Sequence, residues 1–179
     1  MRVIETELEG VFVIEPDVFG DERGFFFESF NKKKFKTETG HDLEFVQDNH
    51  SKSAHGILRG MHYQIENVQE KLVRVISGEV FDVAVDLRKS SLNFGKWVGE
   101  ILSEENKKQL FVPKGFAHGF VVTSQEAEVL YKTTNFYAPA AERYLNWNCP
   151  EVGIEWPVHM PILNERDANA PNLSNCECF

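Results

Sequence analysis

The apolar stretches of this chain are all short, and turn residues interrupt them throughout. Residues 11–14 run into Pro16-Asp17, and Phe25-Phe26-Phe27 follows the glycine-bounded turn at 20–24. Comparable stretches recur at 43–47, 57–64, 72–76, 80–87, 97–102, 109–112, 116–122 and 129–137. Short strands at this spacing predict an all-β sandwich or barrel. A count of 15 Phe and 12 Gly fits such a fold, aromatics favouring strands and glycines tight turns. One polar segment departs from the pattern: Asn at 31 and Gly at 40 bracket a short surface helix. The segments 72–76 and 80–86, joined by Ser77-Gly78-Glu79, read as a hairpin. In its second strand Phe81, Val83, Val85 and Leu87 share one face, and Asp82, Ala84 and Asp86 share the other. Alternation alone leaves open whether that acidic face meets solvent or a polar cavity. Beyond Tyr137, prolines at 139, 150, 157, 161 and 171 predict extended segments wrapped over the barrel, with a short helix around 164–170. No repeat or linker divides the chain, so residues 1–179 read as one domain.

Charge narrows the function classes. With 19 Lys+Arg against 28 Asp+Glu the formal charge is −9. That surplus of acid argues against a nucleic-acid partner, and Lys32-Lys33-Lys34 reads as a solvated face. No apolar run approaches the roughly 20 residues of a membrane span, and the N-terminus lacks the apolar core of a secretory signal. Cys149, Cys176 and Cys178 are odd in number and two sit in the last four residues, which argues against a disulfide framework and for a reducing, cytoplasmic setting. The pair Cys176-Glu177-Cys178 is only a weak soft-metal signal.

Candidate chemistry begins at Pro113-Lys114-Gly115-Phe116-Ala117-His118. A Pro-x-Gly entry aims His118 at a barrel mouth, and the spacing resembles the second signature of the cupin superfamily. Where metal-dependent cupins carry His-x-His, this chain reads His62-Tyr63-Gln64. His62, His118 and one uncertain carboxylate are too few for a first-row metal, so no metal site is expected. Arg59 lies close to His62 in sequence and suits an anionic ligand. Strict alternation puts the two on opposite faces unless Gly60 hosts a bulge. Lys71 is either a snorkelling surface lysine or a cation for a developing oxyanion. Tyr131 is either an ordinary strand aromatic or a general acid. Arg166-Asp167 read alone as a solvated helix start.

Taken together, these phrases resemble the dTDP-4-dehydrorhamnose 3,5-epimerase family. The resemblance rests on Arg23–Glu28 (RGFFFE), Gln47–Ser51 (QDNHS), Leu58–Gln64 (LRGMHYQ), 71–75 (KLVRV), 78–86, 113–120, Tyr131–Thr134 (YKTT) and Asp167–Pro171 (DANAP), in one order over nearly the whole chain. It implies a cupin-like jelly-roll barrel with a few short peripheral helices, a homodimer and no cofactor. It also implies an isomerase that inverts C3 and C5 of dTDP-4-dehydro-6-deoxy-D-glucose through an enolate, giving dTDP-4-dehydro-L-rhamnose for dTDP-L-rhamnose synthesis. By the match, His62 is the base, Asp167 its orienting carboxylate, Lys71 the group facing O4 and Tyr131 the proton donor. Arg23, Arg59 and Arg166 match diphosphate contacts; Glu28, Gln47, Asn49, His118 and Glu142 match other substrate contacts. Strand pairing further suggests Asp82 beside Lys71 across the hairpin. The segment between His62 and Lys71 is one residue shorter than the usual form, Arg166 stands where Lys is frequent, and residues 173–179 match nothing in the family. Three rivals remain: an enzyme epimerising only C3 or only C5, a non-catalytic nucleotide-sugar-binding cupin, and a metal-dependent cupin.

Overall fold

The computed structural model describes residues 1–179 and contains thirteen strands. They are β1 (Arg2–Glu5), β2 (Phe12–Glu15), β3 (Phe19–Asp21), β4 (Gly24–Phe26), β5 (Gln47–Ala54), β6 (Leu58–Gln64) and β7 (Lys71–Ser77). There follow β8 (Glu79–Asp86), β9 (Trp97–Ser103), β10 (Gln109–Val112), β11 (Phe116–Val122), β12 (Glu126–Thr133) and β13 (Glu142–Tyr144). Two helices, α1 (Lys32–Thr39) and α2 (Glu165–Ala168), lie at the periphery. A six-stranded sheet, β1-β2-β10-β7-β12-β5, opposes a five-stranded sheet, β13-β6-β11-β8-β9, and the β3–β4 hairpin joins neither. Every strand pair is antiparallel. This is the all-β, cupin-like jelly roll that the sequence led us to expect.

Three apolar clusters hold it together. Between the sheets lie Val73 and Val75 of β7, Val80 and Ala84 of β8, Phe120 of β11 and Val129 of β12, all buried. The outer face of the five-stranded sheet, including Val83, Val85 and Leu87, is covered by the C-terminal wrap through Leu145, Ile154 and Trp156. Phe35 of α1 packs with Phe12, Leu72 and Phe111 on the outer face of the other sheet. Asn31 caps α1 through Lys34 N–H at 3.1 Å, and Gly40 ends it at φ 76°, as the sequence indicates. The unmatched tail is part of the wrap: Phe179 N–H donates to Leu87 O at 3.1 Å, and its carbonyl accepts from Lys89 N–H at 2.8 Å.

Two expectations need correction. Segments 72–76 and 80–86 do not form a hairpin: β7 lies in the six-stranded sheet and β8 in the five-stranded one. Gly78, at φ 74°, turns the chain from one sheet to the other, and a Cβ there would lie 2.0 Å from Glu126 O. Val73 and Val75 thus meet Val80 and Ala84 face to face through the core rather than edge to edge. Period-2 alternation is the same for a hairpin and for such a corner. Nor do residues 43–47 form a strand; β5 begins at Gln47 and runs through the wholly polar DNHSKS. One face of β5 is exposed and the other borders a polar cleft, so the strand needed no apolar residue.

Candidate active site

A cleft of about 170 Å³ opens between the sheets, lined by Ser51, Arg59, His62, Lys71, His118, Phe120, Tyr131 and Asn164. It begins where the apolar core stops: β7 runs Val75, Val73, Lys71 along its inner face, and β12 runs Ala127, Val129, Tyr131.

The five-stranded sheet supplies one wall. On β6 Arg59 pairs with Phe120 of β11 and His62 with His118, so three steps along β6 match two along β11. That extra residue is a β-bulge, and it brings Arg59 and His62 to the same side. Glycine is required at the bulge: a Cβ on Gly60, at φ 138°, would stand 2.5 Å from Gly119 Cα. The bulge also frees the Gly60 N–H, which donates to Asp167 Oδ2 at 3.2 Å. Asp167 is fully buried, and its other oxygen, Oδ1, lies 2.7 Å from His62 Nε2. Asn164 holds Asp167 at two points. Its Oδ1 accepts Asp167 N–H at 2.8 Å as the cap of α2, and its Nδ2 donates to Oδ2 at 3.3 Å. With Nε2–H directed at the carboxylate, His62 Nδ1 keeps a free lone pair.

The opposite wall belongs to the six-stranded sheet. Lys71 is buried, and its Nζ donates to His62 O at 3.4 Å. Burial pushes its ammonium down to about 8, against the pull of the Asp82 and Glu142 carboxylates. Burial raises the Tyr131 phenol above its ordinary value, with Arg59 opposing. Its hydroxyl is therefore protonated at neutral pH. Asp82 is not the hydrogen-bonded partner of Lys71 expected from strand pairing. Both its oxygens take His118 Nε2, at 2.9 and 3.0 Å, and it reaches Lys71 only through its field. Burial holds the His118 imidazole low despite that carboxylate, so it is neutral. The acidic face of β8 is thus interior: Asp82 and Asp86 are both fully buried. His62 and His118 are each engaged by a separate carboxylate, and no group of three His, Cys, Asp or Glu side chains is placed to hold a metal ion.

At the rim Glu142 accepts from Tyr137 Oη at 2.9 Å and from Tyr144 Oη, with Arg166 Nη1 3.4 Å from Tyr144 Oη. Gln47 and Asn49 share the inner face of β5 with Ser51, Gln47 Nε2 donating to Asn49 Oδ1 at 2.8 Å. Arg59 Nε donates to Ser53 Oγ at 2.9 Å. Arg23 and Glu28 are elsewhere. Arg23 is paired with Asp21 on the β3–β4 hairpin, and Glu28 with Asn31 and Lys34 at the start of α1. Ser51, Ser53, Asn164 and Tyr144 escaped the sequence reading. The two serines were reachable, since they continue the alternation of Gln47 and Asn49.

The sequence profile of dTDP-4-dehydrorhamnose 3,5-epimerase matches residues 5–175. The chain belongs to this family. A dTDP-4-dehydrorhamnose 3,5-epimerase of Shigella flexneri is 58% identical over 180 residues, covering 100% of this chain and 99% of its own. A 3,5-epimerase of Legionella pneumophila, solved in complex with dTDP-4-keto-L-rhamnose, superposes with a TM-score of 0.95 at 48% identity, covering 97% of this chain and 93% of its own. A 3′-monoepimerase of Streptomyces bikiniensis in complex with dTDP-quinovose superposes with a TM-score of 0.90 at 34% identity, covering 96% and 87%. The fold of the dTDP-4-dehydrorhamnose 3,5-epimerase family therefore carries both double and single epimerisation.

Proposed function

We propose that this chain, a cofactor-independent isomerase, inverts C3 and C5 of dTDP-4-dehydro-6-deoxy-D-glucose to give dTDP-4-dehydro-L-rhamnose for dTDP-L-rhamnose synthesis. One observation carries the reading: His62 and Tyr131 stand on opposing sheets and line the same cleft, which Lys71 also lines from the Tyr131 side. Protons on carbons flanking a C4 ketone are acidified because their loss gives an enolate. Inversion then needs a base on one face of the ring and an acid on the other. His62 accepts the proton, and Asp167 stabilises the resulting imidazolium. Lys71, charged at neutral pH, offsets the negative charge that gathers on O4. Tyr131 returns a proton to the opposite face, and both groups reset by exchange with solvent. Arg59 and Arg166 engage the diphosphate, while Gln47, Asn49, His118 and Glu142 contact the substrate.

Arg23 and Glu28 enter this scheme through a second copy of the chain. The β3–β4 hairpin pairs with neither sheet and leaves Phe19, Phe25 and Phe26 each more than half exposed. An apolar surface of this kind on a projecting hairpin is suited to a homodimer in which each hairpin reaches the other copy's cleft. We read residues 1–179 as one domain working in the cytoplasm, which suits its three unpaired cysteines. No helix is long and apolar enough to cross a membrane.

The test is NMR of the protein with the 4-keto sugar nucleotide in deuterated water. Deuterium entering both C3 and C5 with accumulation of the L-rhamno product supports the reading. The monoepimerase relative favours one alternative, exchange at C3 or C5 only, and the same spectrum distinguishes it. Binding without exchange would make the chain a nucleotide-sugar-binding protein.

A further inference from the structure

Across the five-stranded sheet, His62 occupies the middle of a row of three. His118 is its register partner on β11, and Tyr144 is its register partner on β13. The Tyr144 ring stands edge-on to the imidazole, with centroids 5.3 Å apart and planes at 86°. Its hydroxyl points away from that contact: it donates to Glu142 and lies 3.4 Å from Arg166 Nη1, whose guanidinium is 3.9 Å from the same carboxylate. A single side chain thus touches the base with its ring and the charged rim with its oxygen.

We infer that Tyr144 is a positioning residue for His62 and couples the base to the Glu142–Arg166 rim. This rests on the reading of His62 as the base. Asp167 fixes only one ring nitrogen, which leaves the imidazole able to rock about that hydrogen bond. A perpendicular ring in van der Waals contact blocks that motion and holds the free nitrogen toward the substrate. The hydroxyl performs the other task, keeping Glu142 occupied and Arg166 near the mouth, where an anionic group of the substrate is met.

Two substitutions separate ring from hydroxyl. Tyr144→Phe keeps the edge-on contact and is expected to raise KM about fivefold, the effect of one hydrogen bond, with kcat largely retained. Tyr144→Leu removes the ring and is expected to lower kcat about tenfold and to shift the acid limb of the pH profile. It is also expected to raise the mobility of the His62 imidazole in the free protein, read as ¹⁵N relaxation of the ring nitrogens, which the lost ring current itself does not change, and Tyr144→Phe to leave that mobility as it is. Melting curves verify that each variant is folded; Tyr144→Met replaces the leucine variant if that one is not. Wild-type kcat and unaltered His62 ring mobility in Tyr144→Leu would overturn the inference, as would equal loss of kcat in both variants. His62→Ala is the separate control. If it retains ring-proton exchange, the reading of the base fails, whereas the His62 ring mobility in Tyr144→Leu still reports the positioning contact.

Discussion

At the scale of single residues, burial sets the protonation of Lys71 and Tyr131, which face the cleft from the six-stranded sheet. Lys71 illustrates the cost. Its pKa falls from 10.5 to about 8, so between those values the unfolded chain binds more protons than the native one. Stability therefore rises with pH through that window, and the penalty of burying the charge is fully present below pH 8. In the proposed mechanism activity runs the other way, because the enolate needs the ammonium. We expect kcat to fall above about pH 8, and Lys71→Met to lose about 10²–10³ in kcat while melting at a higher temperature than the wild type at pH 7. A pH–rate profile and a thermal melt check both. Asp167→Asn is expected to lower kcat at least about 10²-fold, since an amide NH₂ facing Nε2 forces the proton onto Nδ1 and removes the lone pair of the proposed base. Steady-state rates at saturating substrate read this directly.

At the scale of elements, the decisive feature is the bulge on β6. It aims Arg59 and His62 into one cleft and supplies the N–H that pins Asp167. Gly60→Ala is expected to destabilise the protein by about 2 kcal/mol or more, because the new methyl meets the Gly119 backbone, which cannot move aside as a side chain would. Urea denaturation measures it; unchanged stability would mean that β6 and β11 can separate there at little cost. The Leu58–Gln64 segment announced this element in sequence through a glycine inside an apolar run. β5 gave no such signal. Its inner face, Gln47, Asn49, Ser51 and Ser53, is polar because it borders the cleft, and its outer face is polar because it meets solvent. Hydrophobic periodicity detects a strand only where one face is buried in apolar core.

At the scale of the whole molecule, the dimer proposal has its own test. In a two-fold dimer that exchanges hairpins, a His62→Ala chain and an Arg23→Ala chain complement each other, because the mixed dimer contains one cleft with both residues. Random mixing is expected to restore about a quarter of wild-type activity, since half the dimers are mixed and each has one complete site. No recovery after the chains are unfolded and refolded together would place Arg23 in the cleft of its own chain or outside it altogether.

The sequence by itself determined the all-β architecture, the capped helix α1 and the wrap after Tyr137; the roles of the site residues came only from the family resemblance. Each of the first three is written in local terms: strand-length apolar runs, an Asn and a Gly at helix ends, and prolines. Tertiary structure alone decided which sheet each strand joins. The turn at Gly78 sends β8 to the opposite sheet, and that crossing buries Asp82 against His118 instead of pairing it with Lys71. It also decided that Lys71 and Tyr131 face His62 across a cleft, because residues on different sheets meet only when the sheets close on a shared apolar core.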